Sequence, residues 1–202
     1  MAGFLMSQLS VPLEVSPMNQ SLIMPKLSFR FRVTLQNFGI SSSTVELTKQ
    51  IMNCSRPKPD FDPVSLSVYN STVNLLGKPK WGDISIKIRD DASNAVAKVV
   101  GEQLQKQFDF MEQASAASAA DYKFQTIIEV LDGGNGSYTP NVIESWTCYG
   151  CILKGVDYSE LDYGKNEAMD IGLSIMIDNA IQSPVGVGVG TQIARNVIGT
   201  IA

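Results

Sequence analysis

The sequence contains no histidine, the residue that enzymes use most often as a general base near neutral pH. Its absence excludes the Ser-His-Asp triad and most zinc and non-haem iron sites. Three cysteines among 202 residues do not make the disulfide framework of a small secreted protein. We therefore expect neither an enzyme nor a bound metal or cofactor.

Long hydrophobic runs and a strong charge of either sign are also missing. No stretch approaches the roughly 20 apolar residues that span a bilayer, and the N-terminus lacks the basic segment of a signal peptide. The net charge of −4 is too mild to indicate a nucleic-acid-binding protein. The sequence thus predicts a protein that is made and stays in a cytoplasm-like compartment, away from membranes.

What the chain does have is an ordinary globular composition, with 44% hydrophobic and 18% charged residues. Its length suffices for one large domain or at most two small ones. Residues 1–101 hold eleven Lys and Arg against seven Asp and Glu, whereas residues 102–202 hold five against thirteen. This asymmetry either brings the basic face of one copy to the acidic face of another or is surface scatter.

Alternation of apolar and polar residues, which is typical of half-buried strands, recurs along the chain. Residues 27–36 alternate throughout, and the polar side of this predicted strand carries Ser28, Arg30, Arg32 and Thr34. Further strands are predicted at residues 44–52, 81–89, 124–131, 137–149 and 168–180, with a loop at 41–43 and a turn at 132–136. Seven or so strands around one helix favour a mainly β fold, a two-sheet β-sandwich or partly open barrel.

One amphipathic helix is predicted between these strands, near residues 91–113. Asp90 and Asp91 offer acidic caps at its start. Apolar residues then recur at intervals of three or four and form a stripe that we expect to pack on the core, namely Val96, Val100, Leu104, Phe108 and Met111. The low-complexity run at residues 114–120 is either a fraying helix end or a linker.

Residues 56–80, here called the arm, differ in character from the rest of the chain. Prolines near the start and the pair Gly77 and Pro79 near the end interrupt regular structure. Between them, residues 65–76 are rich in strand formers, which predicts a projecting hairpin. The arm carries more apolar surface than a solvated loop requires, in Val68, Tyr69, Val73, Leu75 and Leu76. The alternative is that the arm folds back on its own sandwich and forms core.

The motif Cys148-Tyr149-Gly150-Cys151 is the main candidate for chemistry. At the predicted end of a strand its odd spacing sends the two sulfurs to opposite faces, unless the chain kinks at Gly150. Packing cysteines are favoured over a redox pair, and a metal site with Cys54 as third ligand lacks a histidine to complete it.

Other clusters are weaker. Residues 186–190 (GVGVG) match neither common phosphate-binding consensus. Three acids are expected to be solvated loop residues, namely Asp157, Glu160 and Asp162. Four basic residues form either one positive sheet face or an ordinary solvated face, namely Arg30, Arg32, Lys87 and Arg89.

Several features, taken in order, resemble the tube proteins of contractile bacteriophage tails. Pro25-Lys26-Leu27 opens a strand with Phe29 and Phe31, and Cys54 leads into the arm. Trp81-Gly82-Asp83-Ile84 closes the arm, and a strand ending in Arg89-Asp90-Asp91 precedes the helix. The last group is the most specific: Trp146-x-x-x-Gly150-Cys151, then Val156 and Leu161-Asp162-Tyr163, then Glu167 before a final strand. No proline follows Gly150 closely, which departs from the family pattern.

The resemblance implies a ring of six copies whose inner sheets join into one large barrel, with rings stacked into a tube that conducts DNA. It covers residues 25–180, which we expect to form the tail-tube β-sandwich domain, flanked by an N-terminal extension (1–24) and a Gly-rich C-terminal extension (181–202). The arm residues Val68, Tyr69, Val73, Leu75 and Leu76 are candidates for ring stacking, and the polar strand face with Ser28, Arg30, Arg32 and Thr34 is a candidate lumen lining.

By the same resemblance, the partners are further copies of the chain, the sheath, baseplate and tail-terminator proteins, and the tape-measure protein in the lumen. The protein would be assembled in the host cytoplasm and located in the virion tail. The tube protein of type VI secretion, which shares the fold, is the close alternative. A barrel-like carrier of a small apolar ligand is an alternative of another class, and it predicts a monomer with an internal cavity.

Overall fold

The computed structural model describes residues 26–40, 44–46, 50–132, 140–164, 166, 168–184 and 188–190. The predicted N-terminal extension, the loop at 41–43 and most of the turn at 132–136 lie outside the described residues, as does much of the C-terminal extension. The chain forms two compact units, residues 1–30 and residues 31–202. In the first, the Arg30 N–H donates to the Leu27 carbonyl at 3.3 Å and closes a turn.

The second unit is mainly β, as the sequence predicts. Its helices are α1 (Ala95–Gln107) and α2 (Ala119–Tyr122). Its strands are β1 (Phe31–Gln36), β2 (Thr44–Glu46), β3 (Ile51–Cys54), β4 (Pro59–Phe61), β5 (Val64–Val68), β6 (Ser71–Leu75), β7 (Pro79–Trp81), β8 (Ile84–Arg89), β9 (Phe108–Asp109), β10 (Ala114–Ser115), β11 (Phe124–Leu131), β12 (Val142–Tyr158), β13 (Asp170–Met176) and β14 (Asn179–Pro184).

Eight strands join in the order β2-β1-β11-β12-β13-β8-β3, with β14 also paired to β12. All of these pairings are antiparallel. The 17-residue strand β12 links two parts of this arrangement, because its first half pairs with β11 and β14 and its second half with β13. The two parts share one core.

Alternation places one face of each long strand in that core. Ile84, Ile86 and Ile88 of β8 are buried, and so are alternate residues of β1, β11 and β13. Val96 and Val100 of α1 belong to the same buried cluster, so the helix packs on the sheets as predicted. Full burial of each such aliphatic side chain stabilises the fold by roughly 1.5–3 kcal/mol, which makes this shared core the main source of stability.

The first predicted strand is shorter than its alternation suggests. It begins at Phe31 instead of residue 27, because residues 27–30 form the turn described above. Phe31, opposite Val130, is the first residue of the chain paired with β11. The segment 44–52 is not one strand either, since β2 pairs with β1 whereas β3 pairs with β8.

The predicted helix also ends early, at Gln107. It also begins late, at Ala95 instead of residue 91: Asn94 is the N-cap residue and its side chain makes no cap hydrogen bond, although Asp91 Oδ1 accepts from the Ala95 N–H at 3.3 Å. At the other end the Asp109 carboxylate accepts from the N–H groups of Met111 (2.9 Å) and Glu112 (3.2 Å). This local turn competes with helical hydrogen bonding. Phe108 is therefore extended, and Met111 is 93% exposed instead of packing on the core.

Residues 114–122 contain more structure than a linker. β10 pairs with β9, and α2 is opened by a capping box between Ser118 and Asp121. The strand predicted at 137–149 runs instead from Val142 to Tyr158.

Candidate assembly surfaces

The arm is a two-stage hairpin. Near the body of the domain β4 pairs with β7, and further out β5 pairs with β6. Main-chain hydrogen bonds hold its root, since the Gly82 N–H donates to the Lys58 carbonyl and the Ser55 N–H donates to the Ser85 carbonyl, both at 2.9 Å. The arm thus projects in a fixed register, and its β5 and β6 residues are all exposed, which contradicts the alternative that the arm is core.

One face of the outer hairpin is apolar and the other is polar. Antiparallel pairing sets Val64 opposite Leu75 and Leu66 opposite Val73, with Val68 continuing the same face. These side chains are 47–57% exposed. On the other face Ser65 faces Asn74, and their side chains are 2.7 Å apart (Oγ to Oδ1). A two-stranded hairpin with an apolar face in water is only marginally stable by itself, so we expect this face to contact a partner.

Among the predicted stacking residues, Val68, Val73 and Leu75 lie on this apolar face. Tyr69 lies at the tip, 100% exposed with φ of 47°, which a bulky residue rarely adopts. Leu76 is exposed just beyond β6. Sequence reasoning missed Val64 and Leu66, which the hairpin register would have revealed once the turn was placed at residues 69 and 70.

A close backbone approach interrupts the arm between its two stages. A Cβ at Gly77 would lie 1.7 Å from the carbonyl oxygen of Asp62, so only glycine fits here. Near the same root, a cleft of about 630 Å³ lies between the arm and β12–β13, with Trp81, Lys154 and Met176 among its lining residues. Lys154 Nζ pairs with Asp83 Oδ2 across it at 2.5 Å.

Of the four residues on the predicted polar strand face, only Arg32 and Thr34 lie on a strand. Arg32 and Thr34 point away from the core on β1, where Arg32 Nε pairs with Glu129 Oε2 of the neighbouring strand at 2.6 Å. Ser28 and Arg30 lie in the turn before β1 instead of on the strand. The face continues across β11, β12 and β14, where the polar residues Gln125, Ser145, Thr147 and Ser183 stand beside the half-buried apolar side chains of Ile127 and Ile181.

The four basic residues do not form one face. Arg32 is on β1 and Lys87 is on β8, with β11, β12 and β13 between these strands. Lys87 Nζ pairs with Asp170 Oδ2 at 2.6 Å. Arg89 is exposed at the end of β8, and Arg30 precedes β1. The positive charge of these four residues is thus divided between separate strands and partly neutralised.

The two cysteines of the C-x-x-C motif lie in the middle of β12 and share its buried face. Phe124 pairs with Cys151 and Thr126 with Cys148, so β12 carries one extra residue in a bulge, and Gly150 has φ of 65°. The kink that the sequence required is therefore present. All three cysteines are free thiols, and burial raises the pKa of Cys54 and of Cys148 to about 12.

These thiols therefore lack the low pKa and the exposure of redox cysteines. No group of three or more His, Cys, Asp or Glu suited to a metal ion occurs in the described residues. Asp157, Glu160 and Asp162 are exposed, as expected. Across the described ranges, no helix has the length and apolarity that crossing a bilayer demands.

Comparison with known proteins gives a fold. No protein-family model and no curated protein matches the sequence. A chain of the cryo-EM structure of the anti-feeding prophage baseplate matches with a TM-score of 0.62 at 13% identity, over 82% of this chain and 99% of that one. A chain of the anti-feeding prophage tube-terminating cap gives 0.59 at 14%, over 84% and 98%.

A chain of the sheath–tube complex of the extracellular contractile injection system PVC, in its extended state, also gives 0.59, at 12% identity over 85% of this chain and 99% of that one. At such identities the likeness establishes the fold alone. This chain therefore has a fold found in contractile injection systems. The resemblance inferred from the sequence is confirmed as far as the fold is concerned.

Proposed function

We propose that this chain is the structural subunit of a bacteriophage tail tube, in which rings of six copies stack into a conduit for DNA ejection. The observation that carries the proposal is the arm, an amphipathic hairpin that leaves a sandwich of the contractile-injection-system fold with its apolar face exposed. A side chain buried in such a contact contributes up to roughly 1.5–3 kcal/mol, and a ring would repeat the contact in every subunit.

The polar sheet face supports a water-filled lumen. It presents serine, threonine and glutamine beside half-buried isoleucines, and its Arg32 is paired with Glu129. A face without excess positive charge would let a duplex slide, because strong phosphate contacts would hold it. In this proposal the lumen also contains a tape-measure protein before ejection, and no enzymatic step is involved.

The further partners are proposed from the fold. The similar chains come from baseplate, cap and sheath–tube assemblies, which supports sheath, baseplate and terminator proteins as partners of this chain. Its location would then be the virion tail, after assembly in the host cytoplasm. A tube of a contractile injection system that carries effectors is the second candidate, favoured by the same three structures.

The test is electron microscopy of purified Val73→Asp beside Thr72→Asp. Val73 lies on the apolar face of the arm and its neighbour Thr72 on the polar face, so the two variants add the same charge to opposite sides. We expect Thr72→Asp to form tubes like the wild type, and Val73→Asp to fold and form rings without tubes.

Native mass spectrometry gives the ring size and size-exclusion chromatography detects a monomeric carrier. A wild-type chain that stays monomeric at high concentration contradicts the proposed function. If both variants form tubes equally well, stacking through the arm is contradicted. A protected genome in the purified particles distinguishes a phage tail from an injection system.

A further inference from the structure

The outer edge of β14 has no second strand partner in the described part of the chain. Alternate N–H groups of an antiparallel strand point to the same side. The Gln182 N–H bonds away from β12, so positions 180, 182 and 184 present the outer edge. Such an edge is a template for pairing with another chain.

Each of these three positions is blocked, in a different way. The Ala180 N–H donates to Asn179 Oδ1 at 2.9 Å. Position 184 is a proline, which has no N–H. The Gln182 N–H donates to the carbonyl of Val189 at 2.7 Å, and the Val189 N–H donates to Gln182 Oε1 at 3.4 Å.

The block at Gln182 differs from the other two because it comes from outside the strand. It is supplied by residues 188–190, here called the guard segment. Gly190 has φ of 92°, and a Cβ there would lie 3.1 Å and 3.2 Å from Cγ2 and Cγ1 of Ile181. The segment can therefore lie against β14 only with glycine at position 190.

We propose that the guard segment covers the site at which a second copy of this chain pairs with β14, and that it leaves the edge during assembly. This inference rests on the proposed function and names one of its contacts. β2 and β14 end the same part of the sheet, in the order β2-β1-β11-β12-β14. Pairing β14 of one copy with β2 of the next continues that sheet head to tail, which closes a ring.

The guard segment determines whether the edge of β14 can pair with another copy. While the Val189 carbonyl accepts from the Gln182 N–H, the edge of β14 has no free N–H group at positions 180, 182 and 184 for a second copy. Positions 180 and 184 are blocked by residues of β14 itself. Departure of the guard frees the Gln182 N–H. A free subunit is thereby kept from pairing prematurely, and the paired state replaces the bond to Val189 by one to the neighbouring copy.

Gly190→Val tests this, with Val189→Ala as the matched control. Valine at position 190 is incompatible with φ of 92° and meets Ile181, so it should detach the guard. Val189 contacts the edge through its main chain, so alanine there should leave the guard in place. Hydrogen exchange of the Gln182 amide in the unassembled protein reports detachment, and light scattering with negative-stain microscopy reports assembly.

We expect Gly190→Val to raise the exchange rate of the Gln182 amide at least about tenfold and to lower the concentration for half-assembly about fivefold. Val189→Ala should match the wild type in both. A chain ending at Pro184 replaces Gly190→Val if that variant does not fold, with the same expectation. If the Gln182 amide exchanges faster but assembly is unchanged or weaker, while the wild type forms rings, the role of the guard segment is disproved and the proposed function still stands. Failure of every chain to form rings overturns both.

Discussion

Burial sets the chemistry of the three cysteines. Cys148 and Cys151 are fully buried, and the bulge at Gly150 turns both into the core. Removing a thiolate from water is costly, so burial raises the pKa of Cys54 and Cys148 to about 12 and also raises that of Cys151. At neutral pH these residues are protonated thiols packed in the protein.

The thiols predict how stability depends on pH. In the unfolded chain they lose their protons near pH 9, whereas the folded chain retains those of Cys54 and Cys148 up to about 12. The unfolded state then binds fewer protons, so stability is present below pH 9 and falls as pH rises from there towards 12. Denaturant unfolding at pH 7.5 and 10 measures this.

The matched control is the variant with alanine at positions 54, 148 and 151, which should lose less stability over the same pH interval because it has no thiol to ionise. Native protein should also resist thiol reagents at pH 8 and react once unfolded. Rapid labelling of Cys148 in the native state would contradict this account.

At the scale of elements, helix α1 uses glutamine side chains to satisfy the main chain around it. Buried Gln103 accepts from the Gly39 N–H at 2.9 Å and donates to the Tyr122 carbonyl at 2.8 Å. Gln107 accepts from the Leu153 N–H at 2.9 Å and donates to its carbonyl at 3.0 Å. The Gln107 side-chain amide thus hydrogen-bonds to the edge of β12 as a neighbouring strand would, next to the register shift that follows Leu153.

Gln107→Leu should therefore destabilise the domain by about 1–3 kcal/mol, because it leaves the N–H and C=O of Leu153 without these partners. Urea unfolding measures the difference. Gln105→Leu makes the same chemical change at an exposed position of the same helix, where it removes only a solvent-exposed hydrogen bond to Asp109, and should cost less than about 1 kcal/mol. Equal effects of the two substitutions would show that Gln107 does not support β12.

At the scale of the whole molecule, the two halves of the chain neutralise one another. Arg32 pairs with Glu129, Arg56 with Glu144, and Lys87 with Asp170, each joining a base of the first half of the sequence to an acid of the second. Part of the charge asymmetry seen in the sequence is thus accounted for within one copy, which neither of the two original interpretations included.

This balance predicts weak contact with DNA. Wild-type rings or tubes should bind a short duplex with a dissociation constant weaker than about 10 µM at physiological salt and with a shallow salt dependence. Glu129→Gln adds one positive charge per copy beside Arg32 and should tighten binding and steepen its salt dependence if this face lines the lumen. Glu112→Gln, at an exposed position after α1, makes the same charge change away from this face and is the control for general charge. Tight, steeply salt-dependent binding by the wild type would contradict a passive conduit.

The sequence by itself determined that long alternating strands, one amphipathic helix and a projecting hairpin in the arm are present. These follow from local patterns, since period two and period 3.6 each bury one face. It also excluded histidine-based chemistry outright.

Only the tertiary structure decided where elements end and what meets across them. The alternation of residues 27–30 continues into a turn that the Arg30 to Leu27 hydrogen bond closes, and the stripe of α1 continues past the turn that Asp109 stabilises. The shared face of Cys148 and Cys151 depends on a bulge set by the register with β11, and the apolar face of the arm on the pairing of β5 with β6. The blocked edge of β14 depends on a contact from residues 188–190. Pairing partners distant in sequence supply these boundaries and faces, and local periodicity carries no information about them.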